Sequence, residues 1–101
     1  MTIYLFCSAG MSTSLLVTKM QKEATSRGLD YQIEAFPEST VGANGPKADV
    51  LLLGPQIRFK EAAIKKQFPE KPVAAIDMRA YGMVDGAAVL DTAIKMYEES
   101  K

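Results

Sequence analysis

Four short apolar runs divide the chain and predict four β-strands. Ile3–Phe6 is apolar throughout, and Asp49–Leu53 is apolar after its first residue. Uninterrupted runs of this kind are typical of strands that are buried on both faces of a parallel sheet. Tyr31–Phe36 alternates between apolar and polar residues, which predicts a strand with one more polar face at an edge of the sheet. Val73–Ile76 is the fourth run.

Apolar residues at helical spacing lie between these runs and after the last one. The spacing predicts a first helix that begins at Thr13, is capped by Ser12 or a neighbour, and ends at Arg27–Gly28. A second helix follows the Gly54–Pro55 break, and a third begins at Asp85. The apolar faces of the three helices are formed by Leu16, Val17, Met20 and Ala24, by Ile57, Ile64 and Phe68, and by Leu90, Ala93, Ile94 and Tyr97.

Strands and helices alternate along the chain, in the order β-α-β-(short α)-β-α-β-α. This order predicts an α/β fold, a four-stranded parallel sheet with helices on both faces, in a single domain that spans residues 1–101. Pro37–Lys47 and Asp77–Met83 are predicted as loops, the first with one helical turn after Glu38.

The predicted sheet also indicates where a functional site should lie. In open parallel sheets, ligands bind beyond the carboxyl ends of the strands, where the winding reverses direction. Cys7 directly follows the first strand, which we expect at the centre of the sheet. Gly54–Gln56 follows the third strand and Asp77 follows the fourth. We therefore expect the site at this edge.

Composition excludes several classes of function. Twelve basic and 12 acidic residues cancel, so there is no electrostatic reason to expect nucleic-acid binding. No apolar stretch approaches the ~20 residues that cross a bilayer, and Met1–Phe6 lacks the basic flank of a signal peptide, so we expect no direct membrane insertion. The single cysteine fits a reducing cytoplasm, and the absence of histidine excludes histidine-based triads and histidine-ligated metals.

Cys7 is the candidate nucleophile. It is followed by a run of small and hydroxyl-bearing residues that leads into the first helix. The start of a helix offers unpaired N–H groups and a partial positive charge, which stabilise an anion. The same groups favour the thiolate and would hold a phosphoryl group on the sulfur. The predicted phosphoryl-binding loop consists of Ser8, Ala9, Gly10, Met11, Ser12, Thr13 and Ser14.

Other interpretations of the cysteine segment have less support. A cysteine after a buried strand is often only a small core residue, but a core residue does not require a hydroxyl-rich loop and a helix start after it. A nucleotide-binding P-loop is excluded because no lysine precedes Lys19 in this region, and a Cys-x-x-Cys redox pair needs a second cysteine.

The chain resembles the IIB component of the lactose/cellobiose (chitobiose) class of the bacterial sugar phosphotransferase system. The resemblance is collinear over nearly the whole chain, and the cysteine segment is its most specific part. The matching residues are Ile3–Leu16 (Ile-Tyr-Leu-Phe-Cys-Ser-Ala-Gly-Met-Ser-Thr-Ser-Leu-Leu), Ile33–Glu38, Asp49–Gln56, Lys71–Val73, Ile76–Asp77, Tyr81–Gly82 and Val84–Gly86.

The resemblance implies a phosphotransferase with a phosphocysteine intermediate. Cys7 would accept a phosphoryl group from a phosphohistidine of a IIA protein and pass it to a disaccharide held by the membrane protein IIC. The implied location is the cytoplasm, and no cofactor or metal is implied. The family fold is similar to that of low-molecular-weight tyrosine phosphatases.

That similarity supplies the main alternative, a phosphatase-like hydrolase. Such a phosphatase loop reads Cys-x5-Arg, but the residue six positions after Cys7 is Thr13. Without a guanidinium the loop lacks a bidentate clamp on the transferring group, which suits storage of the phosphoryl group better than hydrolysis. A regulatory anion sensor is the third alternative, although a sensor has no need of a cysteine.

Three further residues complete the expected site region. Gln56 and Tyr81 are candidates for a second layer around the loop, although a turn or loop-packing role is about as common for such residues. Asp77 is expected to cap a helix or form a turn, and it is left out of the catalytic set.

Overall fold

The carboxyl edge of one parallel sheet organises the fold. The computed structural model describes residues 1–8 and 11–100, with all side chains in these ranges except those of Met11 and Ser12. The strands are β1 (Thr2–Cys7), β2 (Gln32–Pro37), β3 (Val50–Leu53) and β4 (Val73–Ala75). Their order is β2-β1-β3-β4, and every pair is parallel. The predicted sheet is therefore confirmed, with the first strand inside it and the second at an edge.

The register aligns the strand ends. Cys7 pairs with Pro37 on one side of β1, and Phe6 pairs with Leu53 on the other side. At the opposite end, the Asp49 amide donates to the Thr2 carbonyl at 2.8 Å, and the Asp49 carboxylate accepts from the Thr2 amide at 2.8 Å. This two-way contact fixes the alignment of β1 with β3, and hence the height at which Cys7 leaves the sheet.

Helical segments connect the strands. The α-helices are α1 (Met11–Ser26), α2 (Val41–Asn44), α3 (Glu61–Gln67), α4 (Met78–Gly82) and α5 (Gly86–Glu99). Three 3-10 segments span Glu38–Thr40, Gly45–Lys47 and Pro55–Lys60. None of the helices in the part of the chain that the structure describes is long and apolar enough to span a bilayer.

Alternation along β1 creates two hydrophobic cores. Successive side chains of a strand point to opposite faces. Ile3 and Leu5 belong to the main core, between the sheet and the helices α1 and α5. Tyr4 and Phe6 belong to the second core, on the face covered by α3 and the Pro55–Lys60 segment. The alternation assigns Cys7 to the same face as Leu5, the face covered by α1.

Helix α1 begins two residues earlier than the apolar spacing predicts. It starts at Met11 instead of Thr13, so Ser12 lies inside the helix and not before its first residue. The first turn of α1 precedes Leu16, the first α1 residue of the main core. The two described side chains of that turn, Thr13 and Ser14, are polar, so the apolar spacing did not mark where the helix begins.

Two predicted loops are more helical than expected. The loop prediction for Asp77–Met83 is wrong, because Met78–Gly82 forms α4. The Asp77 carboxylate accepts a hydrogen bond from the Ala80 amide at 3.0 Å, which caps this helix. The capping role expected for Asp77 is thus confirmed. In Pro37–Lys47, short helical segments cover the whole stretch after Pro37 instead of a single turn.

Helices α1 and α5 approach each other closely at Gly86. A Cβ atom at this position would lie 2.7 Å from the Lys19 carbonyl carbon and 2.8 Å from the Met20 amide nitrogen. Both are backbone atoms, which cannot move aside as a flexible side chain does. The absence of a side chain at Gly86 is therefore a condition for this packing.

We expect Gly86→Ala to lower the free energy of unfolding by about 1–3 kcal/mol, because the added methyl group must push the two helices apart. Gly82→Ala is the matched control, since a Cβ at Gly82 meets nothing within 4 Å. It should leave stability unchanged or raise it by up to about 1 kcal/mol. Urea unfolding of both variants checks this, and equal stabilities would contradict the close approach.

Glu61 joins helix α3 to the edge strand β4. Its carboxylate lies 2.9 Å from the Lys65 ammonium and accepts a hydrogen bond from the Ala75 amide at 3.0 Å. The bond to Lys65, with a smaller contribution from Ala75, lowers the pKa of Glu61 below its ordinary value of 4.5. A lowered pKa in the folded state means that the ionised form stabilises the fold.

The stabilisation by Glu61 should be complete above pH 4.5 and should disappear as the pH falls through the lowered pKa of the folded state. Glu61→Gln should therefore lose less free energy of unfolding on acidification than the unmodified protein. Chemical unfolding measured from neutral pH downward tests this, with Glu70→Gln, a change at an exposed carboxylate, as the control. Parallel pH curves for Glu61→Gln and the unmodified protein would refute the assignment.

Candidate functional site

Cys7 lies at the carboxyl end of the interior strand β1. Its residue surface is only 2% exposed. Beyond the last residue of β3, the Gly54 amide donates to the Phe6 carbonyl at 2.7 Å, so the pairing of the two strands continues up to the cysteine. The backbone around Cys7 is thus held on both sides, by β2 through Pro37 and by Gly54.

Gly54 makes room for Cys7 and Gln56. A Cβ on Gly54 would lie 3.2 Å from the Cys7 Cβ and 2.8 Å from the Gln56 Oε1. The amide end of Gln56 and the side chain of Cys7 therefore approach the same point. The sequence predicts a place beside the loop for Gln56, and in the structure its side chain and that of Cys7 both lie against Gly54.

Thr13 and Tyr81 meet across 68 positions of sequence. Thr13 lies in the first turn of α1 and is completely buried, and its Oγ1 is 2.9 Å from the Tyr81 hydroxyl oxygen. Tyr81 reaches it from α4, the helix that the sequence pattern did not predict. The residue in the position of the phosphatase arginine is therefore a buried hydroxyl with a hydroxyl partner.

A pocket of about 280 Å³ opens beside these residues. Gln56 and Tyr81 both line it, so the structure brings the two second-layer candidates together. Sequence reasoning missed two other lining residues, Arg58 and Met78, whose guanidinium Nη1 and sulfur are 3.4 Å apart. Their positions after predicted strand ends could have indicated them, because Arg58 is the first charged residue after β3 and Met78 directly follows Asp77.

The remaining loop predictions divide into two groups. Ser8 is exposed and directly follows β1, and Ser14 lies exposed in α1 with its carbonyl accepting a hydrogen bond from the Thr18 hydroxyl at 3.1 Å. Ala9 and Gly10, and the side chains of Met11 and Ser12, lie outside the described residues. Their expected role in binding a phosphoryl group stays a prediction.

Several charged side chains near this edge already have partners. Lys60 forms an ion pair with Glu38 at 2.7 Å, just after the end of β2. The Asp77 carboxylate caps α4. The side chain of Gln56 and the hydroxyls of Thr13 and Tyr81 offer neutral hydrogen-bonding groups in this region, and Arg58 adds a positive charge to the pocket that Gln56 and Tyr81 line. The arrangement suits an anion.

Comparison with known proteins identifies the family. The family model described as "PTS system, Lactose/Cellobiose specific IIB subunit" matches residues 2–92. The chain belongs to this family. The resemblance seen in the sequence is therefore confirmed, and with it membership of a class of phosphotransferase-system components.

Individual relatives agree with this assignment. The chain is 49% identical over 100 residues to both the galactose-specific EIIB component of Lactococcus lactis subsp. cremoris and the cellobiose-specific EIIB component of Lactococcus lactis subsp. lactis. In each case the match covers 90% of this chain and 91% of the relative. Because the same identity accompanies two different sugar names, overall similarity does not decide the sugar.

A solved structure shares the fold. The solution structure of a cellobiose-specific phosphotransferase IIB component from Borrelia burgdorferi matches with a TM-score of 0.83 and 36% identity, covering 100% of this chain and 94% of that one. IIB domains have the fold of low-molecular-weight tyrosine phosphatases, so the predicted fold similarity is also confirmed.

We expect Gly54→Ala to slow the alkylation of Cys7 by iodoacetamide about threefold, a barrier increase of ~0.7 kcal/mol. The Gly54 backbone angles of −58° and 147° are open to alanine, so the effect should come from the methyl group that crowds the cysteine. Gly42→Ala is the control, because a Cβ there makes an ordinary contact of 3.6 Å with Gln67. An unchanged alkylation rate in Gly54→Ala would count against the close approach to Cys7.

Proposed function

We propose that this chain is a phosphoryl carrier of sugar uptake. Cys7 accepts a phosphoryl group from a phosphohistidine of a IIA protein and transfers it to a disaccharide of the cellobiose, chitobiose or lactose class bound by the membrane protein IIC. The observation that carries the proposal is the position of Cys7. The sole cysteine of a member of this family ends an interior strand at the carboxyl edge, directly before the segment that leads into α1.

The two steps are displacements at phosphorus. In the first, the Cys7 thiolate attacks the phosphorus, an S–P bond forms, and the N–P bond to the donor histidine breaks. In the second, a sugar hydroxyl attacks, an O–P bond forms, its proton is released, and Cys7 leaves as the thiolate. No oxidant, metal or cofactor enters either step of the proposal. The protein supplies positioning and charge stabilisation, which dominate phosphoryl transfer.

The environment of Cys7 favours storage between the two steps. The residue is 2% exposed, which limits the approach of water from bulk solvent to the S–P bond. Gln56 and Thr13, the polar residues that the proposal places around the phosphoryl group, lack the fixed positive charge of a phosphatase arginine, so they stabilise a hydrolytic transition state less. Transfer then requires a partner that places its reacting group against the recessed sulfur.

The surface near this edge suits transient protein partners. Phe59 is 75% exposed and Met78 is 61% exposed. Arg58 directly precedes Phe59 in the sequence, and its guanidinium contacts the sulfur of Met78. Apolar surface rimmed by polar or charged residues is a feature of protein–protein contact sites. We assign this group to the docking of the IIA and IIC proteins in turn, which would place the carrier in the cytoplasm.

The covalent intermediate provides the decisive test. Incubation with a phosphorylated IIA protein should add one phosphoryl group to the intact mass, and peptide mapping should find it on Cys7. Cys7→Ser should show no stable phosphothiol. Ser26→Ala, a change at an exposed serine at the opposite end of α1, should still become phosphorylated on Cys7. A phosphoryl group that maps to a serine or threonine in the unmodified protein would overturn the proposal.

A second measurement separates the carrier from the hydrolase alternative. Purified protein should turn over p-nitrophenyl phosphate negligibly, and the phosphorylated form should lose its group rapidly only with membranes that contain the matching IIC protein and its sugar. Loss of the group in buffer as fast as with membranes and sugar would favour a phosphatase.

A further inference from the structure

Thr13 is the one polar residue that is fully buried in the part of the chain the structure describes. Burial of a hydroxyl is unfavourable unless it has a hydrogen-bond partner. Thr13 also occupies the position at which a phosphatase loop of this fold has its arginine. The contacts of this side chain therefore bear directly on how a phosphoryl group on Cys7 would be held.

The partner of Thr13 is the Tyr81 hydroxyl, at 2.9 Å. In a pair of hydroxyls either oxygen can donate, but a phenolic O–H is the more acidic and hence the stronger donor. Tyr81 as donor leaves the proton of Thr13 available for a second acceptor. This second acceptor is a group other than Tyr81, because the contact between the two hydroxyls uses only one of their two protons.

Other threonines of the chain show where such a proton usually goes. The Thr18 hydroxyl donates to the Ser14 carbonyl, and the Thr92 hydroxyl donates to the Ala88 carbonyl, each at 3.1 Å and each four residues back within its helix. Thr13 is the third residue of α1, and its hydroxyl contacts Tyr81, a residue of another helix. Its hydroxyl stands at the end of α1 that faces the carboxyl edge of β1.

Helix α4 holds Tyr81 firmly in place. Its amino end is capped by Asp77, and at its carboxyl end the Asp85 amide donates to the Ala80 carbonyl at 2.9 Å. Between α4 and α5, Val84 has a φ of 52°, a left-handed conformation that is costly for a β-branched residue. A turn held in this conformation gives Tyr81 a defined position opposite Thr13.

We propose that Tyr81 is a positioning residue for phosphoryl transfer. Its hydroxyl donates to Thr13 Oγ1, and Thr13 in turn donates to an oxygen of the phosphoryl group on Cys7. The two hydroxyls form a neutral relay in the place of the phosphatase arginine, and each bond strengthens the other by polarisation. This inference rests on the proposed function, because it requires a phosphocysteine.

The relay predicts a specific set of variants. Tyr81→Phe should slow transfer from phosphorylated Cys7 to the IIC-bound sugar about fivefold through kcat, the effect of one lost hydrogen bond, with KM unchanged. It should also shift the phosphorus-31 NMR resonance of the phosphocysteine. Thr13→Val should have a larger effect, and the double variant should be no slower than Thr13→Val alone, since both changes break the same chain.

Tyr31→Phe is the matched control, because Tyr31 also packs against the main core but lies just before β2, at the opposite end of the sheet. It should leave the rate and the resonance unchanged. Thermal unfolding of every variant checks that the fold is retained.

The outcomes separate this inference from the proposed function. A normal phosphocysteine with an unchanged resonance and rate in Tyr81→Phe would overturn the relay alone. Fully additive losses in the double variant would also overturn it, because they would mean that the two hydroxyls act independently. Absence of any phosphocysteine in the unmodified protein would overturn the proposed function and the relay together.

Discussion

The pairing of β1 on both sides is the constraint on which the rest of the structure depends. Ile3 to Cys7 are all buried, and every residue of β1 has a partner in β2. Buried peptide groups must be hydrogen-bonded, so neither neighbour can shift by one residue without moving apolar side chains to the wrong face. This register determines where the strand ends, and therefore where the thiol lies relative to Pro37 and Gly54.

Two close contacts in the fold are possible only because a glycine lies at each of them. At Gly86 the start of α5 contacts the backbone of α1, and at Gly54 the chain passes beside Cys7. The first contact sets the distance between two helices of the main core. The missing side chain at Gly54 leaves space for the side chains of Gln56 and Cys7. Stability and site geometry thus depend on the same kind of feature, a missing side chain at a close contact.

The proposed storage of a phosphoryl group, in place of its hydrolysis, is consistent with a threonine at the position where the phosphatase loop has its arginine. A guanidinium stabilises a phosphoryl group most when charge develops in transfer, and it does so for water as well as for a sugar. In the proposed carrier, buried hydroxyls would hold the group with weaker, directional bonds, and the partner would supply the remaining stabilisation. The Thr13–Tyr81 contact shows that burial of the hydroxyl does not leave it without a partner.

Local sequence pattern alone determined the four strands, their parallel arrangement and the central place of the first strand. It also indicated Cys7 as the candidate nucleophile, because a hydroxyl-rich segment before a helix is chemically distinctive over a few residues. Gln56 and Tyr81 could be named as candidates only through their nearness to predicted strand ends. These features were readable because apolar periodicity reports which residues face the core.

The tertiary structure alone decided the contacts that cross the chain. Helix α4 is too short to show an apolar periodicity in the sequence. Its cap at Asp77 forms a hydrogen bond that an aspartate in a turn could also make. The meeting of Thr13 with Tyr81, and of Arg58 with Met78, joins segments that no local pattern connects. The physical reason is that periodicity records burial within one element, whereas a pair contact depends on where two elements end in space.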